Sequence, residues 1–457
     1  MTTLGDVSFW YSDIGLPRTR RPALSGDAEA DVVIVGAGYT GLWTAYYLKA
    51  LDPGLRVTVL EKHFAGYGAS GRNGGWLSGG FAWNHERYAE MAGAPAVRRM
   101  VQAMMGTVDE VIAVAEAEGI DADIRRCDEL MVATNDAQRQ RLSDEVKHRA
   151  KWGEQGRVFS IDADAVSERV RIPEAKGGMI VTGTARIQPA KLVRGLAEAV
   201  ERRGVTIHEG TEVTRIVSGA AHTATGILRA PVVLRCTEGF TATLPGYRRT
   251  WLPLNSAQIA TEPLAPEIWE RIGWDGHEIL GDFDHTYCYC QRTREGRITV
   301  GARGVPYRFG SQLDRDGTPD AETVRRLTAI LHRHFPAARK ARIDHAWCGV
   351  LGVPRDWCAT VGLGADGIGW AGGYVGVGVS TSNLAGRTLA DLALGRRTEL
   401  TGLPWVNRRV REWEPEPLRW LGVHGMYRLY DIADRRERAG GPPSALARFG
   451  NRLTGRE

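Results

Sequence analysis

The sequence predicts a mixed α/β protein in which a doubly wound, parallel-sheet domain is assembled from discontinuous segments and carries an inserted antiparallel-sheet domain. Three observations support this fold class. A strand, a glycine-rich turn, a helix and a second strand follow one another over 31–61, and comparable units recur near the middle of the chain and near residue 370. Alternating apolar and polar residues fill much of 250–345. Strands separated by helices pair in parallel, whereas closely spaced alternating strands pair antiparallel.

The elements of the first half follow from hydrophobic periodicity and turn residues. Residues 1–30 read as an irregular arm whose aromatic side chains, Phe9, Trp10 and Tyr11, anchor it to the body. The β-branched run 31–35 predicts a buried strand. Further along, the pattern predicts helices over 42–51, 86–120 and 136–153, and strands over 56–61 and 121–134.

The second half continues the alternation of elements. A helix over 188–203 precedes an alternating stretch, 204–216, that predicts one strand. Another short β-branched run predicts a strand over 231–235. After the antiparallel region, an amphipathic helix is predicted over 321–335, and a strand, a glycine-rich turn and a helix over 367–395.

Composition points to an ordinary globular protein. The chain has 457 residues, of which 43% are hydrophobic and 25% charged, so it can bury a full core without disulfides. The closest cysteine pair, Cys288 and Cys290, lacks zinc-site spacing, and we expect free thiols and no metal. The first residues contain no apolar run after a basic head, and no stretch is long and apolar enough to span a membrane. We therefore expect a cytoplasmic protein.

Residues 401–457 form a basic tail. Between Arg408 and Glu457 there are 11 Arg against 7 acidic residues, whereas the whole chain has a net charge of only +5. Such a tail can bind nucleic acid or a membrane surface. Its aromatic and apolar residues instead favour a solvated helical tail whose Arg pair with neighbouring Glu, and we expect neither polyanion nor membrane partners.

A dinucleotide-binding motif lies between the first strand and the first helix. Gly36, Gly38 and Gly41 make a G-x-G-x-x-G turn, in which the glycines permit a tight turn, phosphate approach and close helix packing. The helix start, with Tyr39 and Thr40, offers free N–H groups to a pyrophosphate. Glu61 ends the second strand, where an acid binds ribose hydroxyls, and Lys62 follows it.

Two further glycine-rich segments favour FAD over NAD. GYGASGRNGG at 66–75 suits a long cofactor with two heads, and Arg72 within it can meet pyrophosphate or flavin. GGYVGVGVSTSNLAG at 372–386 follows a strand and opens a helix, whose positive end suits the flavin carbonyls. The strand-like TEVTRI at 211–216 is expected beside the adenine.

Together these segments resemble the D-amino-acid-oxidase superfamily, in the branch typified by gamma-glutamylputrescine oxidase. The resemblance covers most of 8–400 and includes the first motif, GYGASGRNGGW, IQPAKLVRGLAEA and GGYVGVGVSTSNLAGRTLADL. It implies a Rossmann-like FAD-binding domain. It also implies a set of FAD contacts, namely Gly36, Gly38, Gly41, Glu61, Ser70, Arg72, Asn73, Gly74, Gly75, Val213, Gly373, Gly376, Val377 and Gly378.

The order of the parallel-type and antiparallel-type segments predicts a domain division. The FAD-binding domain comprises 31–110, 185–245 and 345–400, and the substrate domain comprises 111–184 and 246–344. In relatives that bind the flavin covalently, a cysteine stands six residues before a proline, as Cys348 stands before Pro354. A covalent link through Cys348 is therefore possible, although a buried structural thiol and non-covalent FAD are favoured.

The implied chemistry is oxidation of a C–N bond in a small primary or secondary amine. Hydride passes from carbon to flavin N5, the imine hydrolyses, and O2 is reduced to H2O2. Relatives place a substrate-binding lysine near Ser380 and another lysine for O2; neither is evident here, and Arg355 or Arg303 could supply charge. An amine or amino-acid dehydrogenase, a flavin monooxygenase and a flavin-binding subunit without turnover therefore stay open. The candidate pocket residues are Trp76, His285, Tyr287, Arg355 and Tyr374.

Overall fold

The computed structural model describes residues 2–80, 84–302, 306–314 and 316–454, without the side chain of Leu453. These residues include twelve α-helices. The helices are α1 Phe9–Ile14, α2 Tyr39–Leu51, α3 His85–Ala92, α4 Ala94–Ala117, α5 Asp136–Lys151, α6 Ala163–Arg169, α7 Pro189–Arg202, α8 Pro266–Ile272, α9 Ala321–His334, α10 Gly378–Ala393, α11 Leu418–Arg438 and α12 Ala445–Thr454.

Twenty strands lie in the same described ranges. They are β1 Thr3–Leu4, β2 Ala28–Glu29, β3 Val32–Val35, β4 Val57–Leu60, β5 Trp76–Leu77, β6 Arg125–Ala133, β7 Val158–Ile161, β8 Gly177–Arg186, β9 Thr206–His208, β10 Val213–Val217, β11 Ala220–Thr223, β12 Ile227–Arg229, β13 Val232–Arg235, β14 Leu252–Thr261, β15 Ile279–Asp282, β16 Tyr289–Arg292, β17 Ile298–Ala302, β18 Ile343–Val353, β19 Thr360–Leu363 and β20 Ile368–Gly372.

A six-stranded sheet organises the first domain, in the order β19-β20-β13-β3-β4-β9. All its neighbouring pairs are parallel except β19 with β20, and Val33 lies opposite both Thr58 and Val233. Apolar residues of β3 and β4 pack with those of α2, α4, α7 and α10 in one large buried cluster. Strands of this sheet come from early, middle and late parts of the chain, as a doubly wound sheet built from discontinuous segments requires.

A ten-stranded, mostly antiparallel sheet organises the second domain. Its order is β1-β18-β14-β17-β16-β15-β6-β8-β5, with β7 added to β8. In the central β14–β18 pair, Ser256 lies opposite Gly349 and Gln258 opposite Trp347. The predicted fold class is confirmed by this pair of sheets. A separate four-stranded sheet, β10-β11-β12-β2, lies beside the first domain.

Three local predictions were wrong, each because a turn or a tertiary contact interrupts the pattern. The helix predicted over 86–120 breaks at Gly93, whose φ of 78° ends α3 before α4 begins. The strand predicted over 204–216 is two strands in different sheets, because Gly210 turns the chain with a φ of 61°. The arm is not irregular throughout, since Phe9, Trp10 and Tyr11 form α1; their burial against the body is as predicted.

The remaining predictions concern the cysteines, membrane-spanning helices, the C-terminal tail and the domain boundaries. All six cysteines are free thiols, as predicted. Among the described residues, no helix combines the length and apolar character that crossing a membrane requires. The tail is helical as predicted, but it is not merely solvated, because Tyr430, Asp434 and Glu437 of α11 are buried against the second domain. The residue boundaries given above for the two domains stay a prediction.

Candidate cofactor and substrate site

Two adjoining cavities lie between the sheets. The inner cavity, of about 160 Å³, follows the carboxyl ends of β3 and β4 and the start of α2. The outer cavity, of about 680 Å³, extends from there into the second domain. They share a partition formed by Ala69, Asn73, Leu351, Gly376 and Val379.

The first glycine motif shapes the inner cavity through its backbone. Gly36 has a φ of 104°, and a Cβ there would lie 2.7 Å from the Cys236 carbonyl oxygen. A Cβ on Gly41 would overlap the Gly36 carbonyl oxygen, so Gly41 serves helix packing and does not line the cavity. Gly38, Tyr39 and Thr40 do line it. The N–H groups of Thr40 and Gly41 stand in the first turn of α2, where an intrahelical acceptor is lacking.

Glu61 lies at the inner cavity with both oxygens oriented by backbone. One oxygen accepts from the Ala37 N–H and the other from the His63 N–H, each at 2.9 Å. Burial raises the pKa of this carboxyl. Each carboxylate oxygen keeps a second lone pair, which suits ribose hydroxyls. Lys62, at the exposed rim, pairs with Glu212 at 2.8 Å.

The 66–75 loop is held by Arg72, while its predicted contact with the cofactor stays a prediction. Its Nη1 pairs with Asp314 at 2.6 Å and donates to the Cys348 carbonyl at 3.2 Å, while Nε donates to the Tyr67 carbonyl. Within the described part of the chain, Nη2 is a buried donor without a partner. Arg72 lines the outer cavity and not the inner one.

The other predicted residues of this loop divide between the cavities. The Ser70 hydroxyl accepts from the Tyr39 N–H at 2.8 Å and lines the inner cavity. Asn73 lines both cavities and braces the turn by accepting from the Gly75 N–H at 2.8 Å. Gly74 lines the outer cavity only. Gly75, with a φ of 70°, is packed against Gln291 and is not among the described lining residues of either cavity.

The late glycine run completes the partition. Gly376, with a φ of 123°, lines both cavities, Val377 the outer one and Gly378 the inner one. Gly373 is required for packing, because a Cβ there would overlap Pro354. Predicted as a pocket wall, Tyr374 instead lines the inner cavity, where its hydroxyl meets that of Thr40 at 2.9 Å. Val213, predicted beside the adenine, also lines the inner cavity.

Glu238 is an inner-cavity residue that the sequence reasoning missed. Its carboxylate accepts from the Gly352 N–H at 2.9 Å and from the Tyr374 N–H at 3.1 Å, and so joins β18 to the glycine run. Burial raises the pKa of Glu238 to about 7. No local motif marks it, since its role depends on two segments that are distant from it in sequence.

The outer cavity receives three of the five predicted pocket residues: Trp76, His285 and Tyr287. Arg355 is not one of its described lining residues, because its Nε pairs with Glu414 at 3.0 Å. Arg303 lies outside the described residues. His285 is engaged rather than free, since its Nε2 lies 3.1 Å from Glu437 and its ring stacks on Tyr430.

Several polar residues of the outer cavity were not predicted. Gln258 donates from Nε2 to the Arg72 carbonyl at 2.5 Å, which leaves its buried Oε1 without a partner among the described residues. Tyr289 shares a hydrogen bond with Ser256 at 2.9 Å and meets Trp76 edge to face. Glu129 accepts from Ser78 at 2.6 Å. Ser256 and Gln258 alternate with buried apolar residues in β14, and that alternation was the available signal.

Cys348 is poorly placed for a covalent bond to a flavin. Its side chain packs in the apolar cluster of the second domain, and among the described residues it is not one that lines either cavity. Burial raises the pKa of this thiol to about 12. A neutral, enclosed thiol is a weak nucleophile, so the geometry agrees with the favoured non-covalent cofactor.

The donors and spaces of the inner cavity fit FAD. The helix start of α2 and the bare Cα of Gly38 suit a pyrophosphate, and the doubly held carboxylate of Glu61 suits a ribose. Gly376 keeps the place where the two cavities meet free of a side chain, as a flat ring at the partition requires, and a Cβ there would lie 3.4 Å from the Tyr287 hydroxyl. The start of α10 directs its positive end toward the same place.

Comparisons with known proteins agree with this fit. The family model for FAD dependent oxidoreductases, DAO, matches residues 31–392. The probable oxidoreductase OrdL of Rhizobium meliloti (strain 1021) is 30% identical over 403 residues, which cover 86% of this chain and 89% of that protein. The gamma-glutamylputrescine oxidoreductase of Escherichia coli (strain K12) is 28% identical over 379 residues, or 81% of this chain and 85% of that protein.

A solved structure shares the fold. Glycine oxidase from Geobacillus kaustophilus superposes with a TM-score of 0.70 at 21% sequence identity, covering 84% of this chain and 99% of that one. The matched family region contains all three glycine-rich segments that line the inner cavity and ends before α11 and α12. The chain therefore belongs to the DAO family of FAD-dependent oxidoreductases.

Proposed function

We propose that this protein is an FAD-dependent oxidase of a small primary or secondary amine, with O2 as electron acceptor. The observation that carries the proposal is the shared partition between the two cavities. A cofactor held in the inner cavity would border the much larger outer cavity along the shared lining residues Gly376 and Asn73. An outer cavity of about 680 Å³ is in the range of small-molecule sites.

The overall reaction consumes the amine, water and O2, and yields a carbonyl compound, ammonia or a shorter amine, and H2O2. When bound, the flavin supplies the acceptor for the hydride that leaves the carbon next to nitrogen. The protein's own task is to bind the amine, orient that carbon and exclude bulk water.

Gln258 is the proposed acceptor for the substrate N–H. Its Nε2 is fixed on the Arg72 carbonyl, which is an acceptor only, so the buried Oε1, which has no partner among the described residues, is the atom left to accept a hydrogen bond. A buried carbonyl without a donor is costly until a donor binds. Trp76, Tyr287 and Tyr289 give the same region an aromatic wall, which attracts amines through cation–π contacts when they carry charge and packs them when neutral.

The cavity's electrostatics also support an amine. Of the four described arginines that line it, Arg72, Arg141 and Arg149 are each paired with a carboxylate, at Asp314, Glu437 and Glu145 respectively, and Arg448 is exposed to solvent. Glu129 lines it as a mostly buried carboxylate, with no cation paired to it among the described salt bridges. Unpaired buried carboxylates favour a bound cation.

An amine panel tests the proposal directly. The purified holoenzyme is mixed with primary, secondary and di-amines under air while H2O2 and flavin absorbance are followed together. Bleaching without air and stoichiometric H2O2 with air are expected for an oxidase. Bleaching with amines but no H2O2 would identify a dehydrogenase; bleaching by NADPH alone would favour a monooxygenase, and inertness to every amine an assembly subunit.

A further inference from the structure

We propose that the C-terminal segment from Pro443 through α12, which α11 anchors to the body, forms the outer wall of the substrate cavity and limits which substrates reach the flavin. This rests on the proposed function, because it takes the outer cavity as the substrate site. Four residues of the C-terminal segment line that cavity: Pro443, Ser444, Arg448 and Asn451. Polar residues of α5 line the same cavity, and the segment lies beyond the part of the chain that the family model matches.

The wall is attached to the cavity by a buried hydrogen-bond network. Asp434 of α11 accepts from the His285 N–H at 2.8 Å and from the Thr286 hydroxyl at 3.2 Å. His285 and Tyr287, on the same loop, line the outer cavity. The contacts of Asp434 therefore hold the 283–287 loop, which lines the substrate site, and α11 in place against each other.

Glu437 is the centre of this network. Its carboxylate pairs with Arg141 of α5 at 2.8 Å, lies 3.1 Å from His285 Nε2 and accepts from the Ser444 N–H at 2.9 Å. The Glu437 side chain is 1% exposed. The Arg141 guanidinium and the His285 hydrogen bond help to hold the pKa of this carboxyl at about 2. One carboxylate thus joins α11, α5, the 283–287 loop and the start of α12.

The proposed wall controls the access of small molecules to the flavin, whereas a remote stabilising segment would affect only folding. Residues 440–443, Gly-Gly-Pro-Pro, connect the anchored α11 to α12. Pro443, at the end of this connection, lines the cavity, and so does Ser444 directly after it. A variant that weakens the contacts of Glu437 should therefore open the cavity on the side of α5. Adding bulk at Ser444, which is half-buried and precedes α12, should close it without disturbing the core.

The experiment measures access to the bound flavin with sulfite, a small nucleophile that bleaches flavin absorbance and is not an amine. Glu437→Gln should bleach roughly three- to ten-fold faster than the unaltered holoenzyme, and Ser444→Trp slower by a similar factor, as expected for a loosened or filled lid. Matched controls are Glu412→Gln, at an exposed acid paired with Arg249, and Leu446→Trp, which adds the same bulk at an exposed residue of α12 that does not line the cavity; both should keep the original rate.

Flavin content and melting temperature of each variant establish folding. Should Glu437→Gln lose its flavin, the Ser444→Trp and Leu446→Trp pair decides the question. A folded Ser444→Trp variant whose flavin is bleached by sulfite at the original rate would contradict the proposed wall. In turnover, Ser444→Trp should raise KM for long amines by about ten-fold while kcat for the shortest amine is retained. An unaltered holoenzyme inert to every amine would contradict the proposed function, while the sulfite rates would still decide the wall.

Discussion

The inner and outer cavities adjoin, but they are built from different chemistry. The inner cavity is shaped mainly by backbone: glycines with positive φ, helix starts and carboxylates held by N–H groups. The outer cavity is shaped by side chains from β5, β6, α5, β14, β16 and the tail, which are far apart in sequence. Backbone constraints leave a local signature in the sequence, whereas converging side chains leave almost none. Variants that separate cofactor binding from substrate binding therefore test this difference.

The largest expected effect is at the inner cavity. Gly38→Val places a branched side chain where the pyrophosphate should lie, and its Cβ would already stand 3.0 Å from the Ser70 hydroxyl. FAD affinity should fall by at least about 100-fold, and the protein should purify colourless. Gly106→Ala, on an exposed face of α4 with open space around it, is the control and should stay yellow. Full flavin content in Gly38→Val would contradict the FAD assignment.

The next effect concerns pH and Glu238. Its pKa in the folded protein is about 7, above the ordinary 4.5, so the folded state binds more protons than the unfolded state between these values. The stability of the FAD-free protein should therefore fall by about 2–3 kcal/mol as pH rises from 4.5 to 7. Glu238→Gln should flatten that slope in urea unfolding. An equal slope in both proteins would mean that other groups dominate.

A smaller effect is expected at the outer cavity. Gln258→Leu removes the proposed acceptor for the substrate N–H and the hydrogen bond to the Arg72 carbonyl. We expect kcat/KM for amines to fall by about ten-fold while flavin content stays full. Gln102→Leu, at an exposed residue of α4, should match the unaltered enzyme. Loss of flavin in Gln258→Leu would place this residue at the cofactor instead.

The smallest effect is expected from Glu129→Gln. Its carboxylate is proposed to attract a cation in the outer cavity, so a diamine should lose more affinity than a monoamine of the same length. A difference of about three-fold is expected, because Arg149 and water screen the charge. The ratio of the two KM values is the measurement, and the monoamine is the internal control. Equal losses for both amines would remove Glu129 from substrate binding.

What could be predicted from the sequence follows the same division. Gly36, Gly38 and Glu61 stood in a strand–turn–helix–strand context whose spacing alone indicates a nucleotide site, and the structure gathers them at one cavity. Gly373 and Gly75 were marked as special positions, and a Cβ on either would overlap a neighbouring group, while their predicted FAD contacts stay a prediction. The reason is that a glycine pattern reveals a backbone constraint without saying what approaches the backbone.

Most lining residues of the outer cavity could not be predicted from the sequence, for a physical reason. Trp76 was found because it follows the glycine loop directly, whereas Gln258, Tyr289 and Glu129 are brought together only by the pairing of distant strands. Arg355 was chosen for its charge, and in the structure that charge is paired with Glu414. The tail carries no motif, so its place at the cavity depended entirely on tertiary packing.

The partition between the cavities has a thermodynamic consequence. Asn73, Leu351 and Gly376 border both cavities. A flavin ring bound beside them would therefore be in contact with a molecule bound in the outer cavity. Favourable contacts between the two molecules would strengthen the binding of each by the same factor, since coupling between two ligands is reciprocal. Competitive inhibitors should slow the escape of the yellow nucleotide during dialysis, and inhibitor screens performed on the stripped apoprotein should underestimate every affinity.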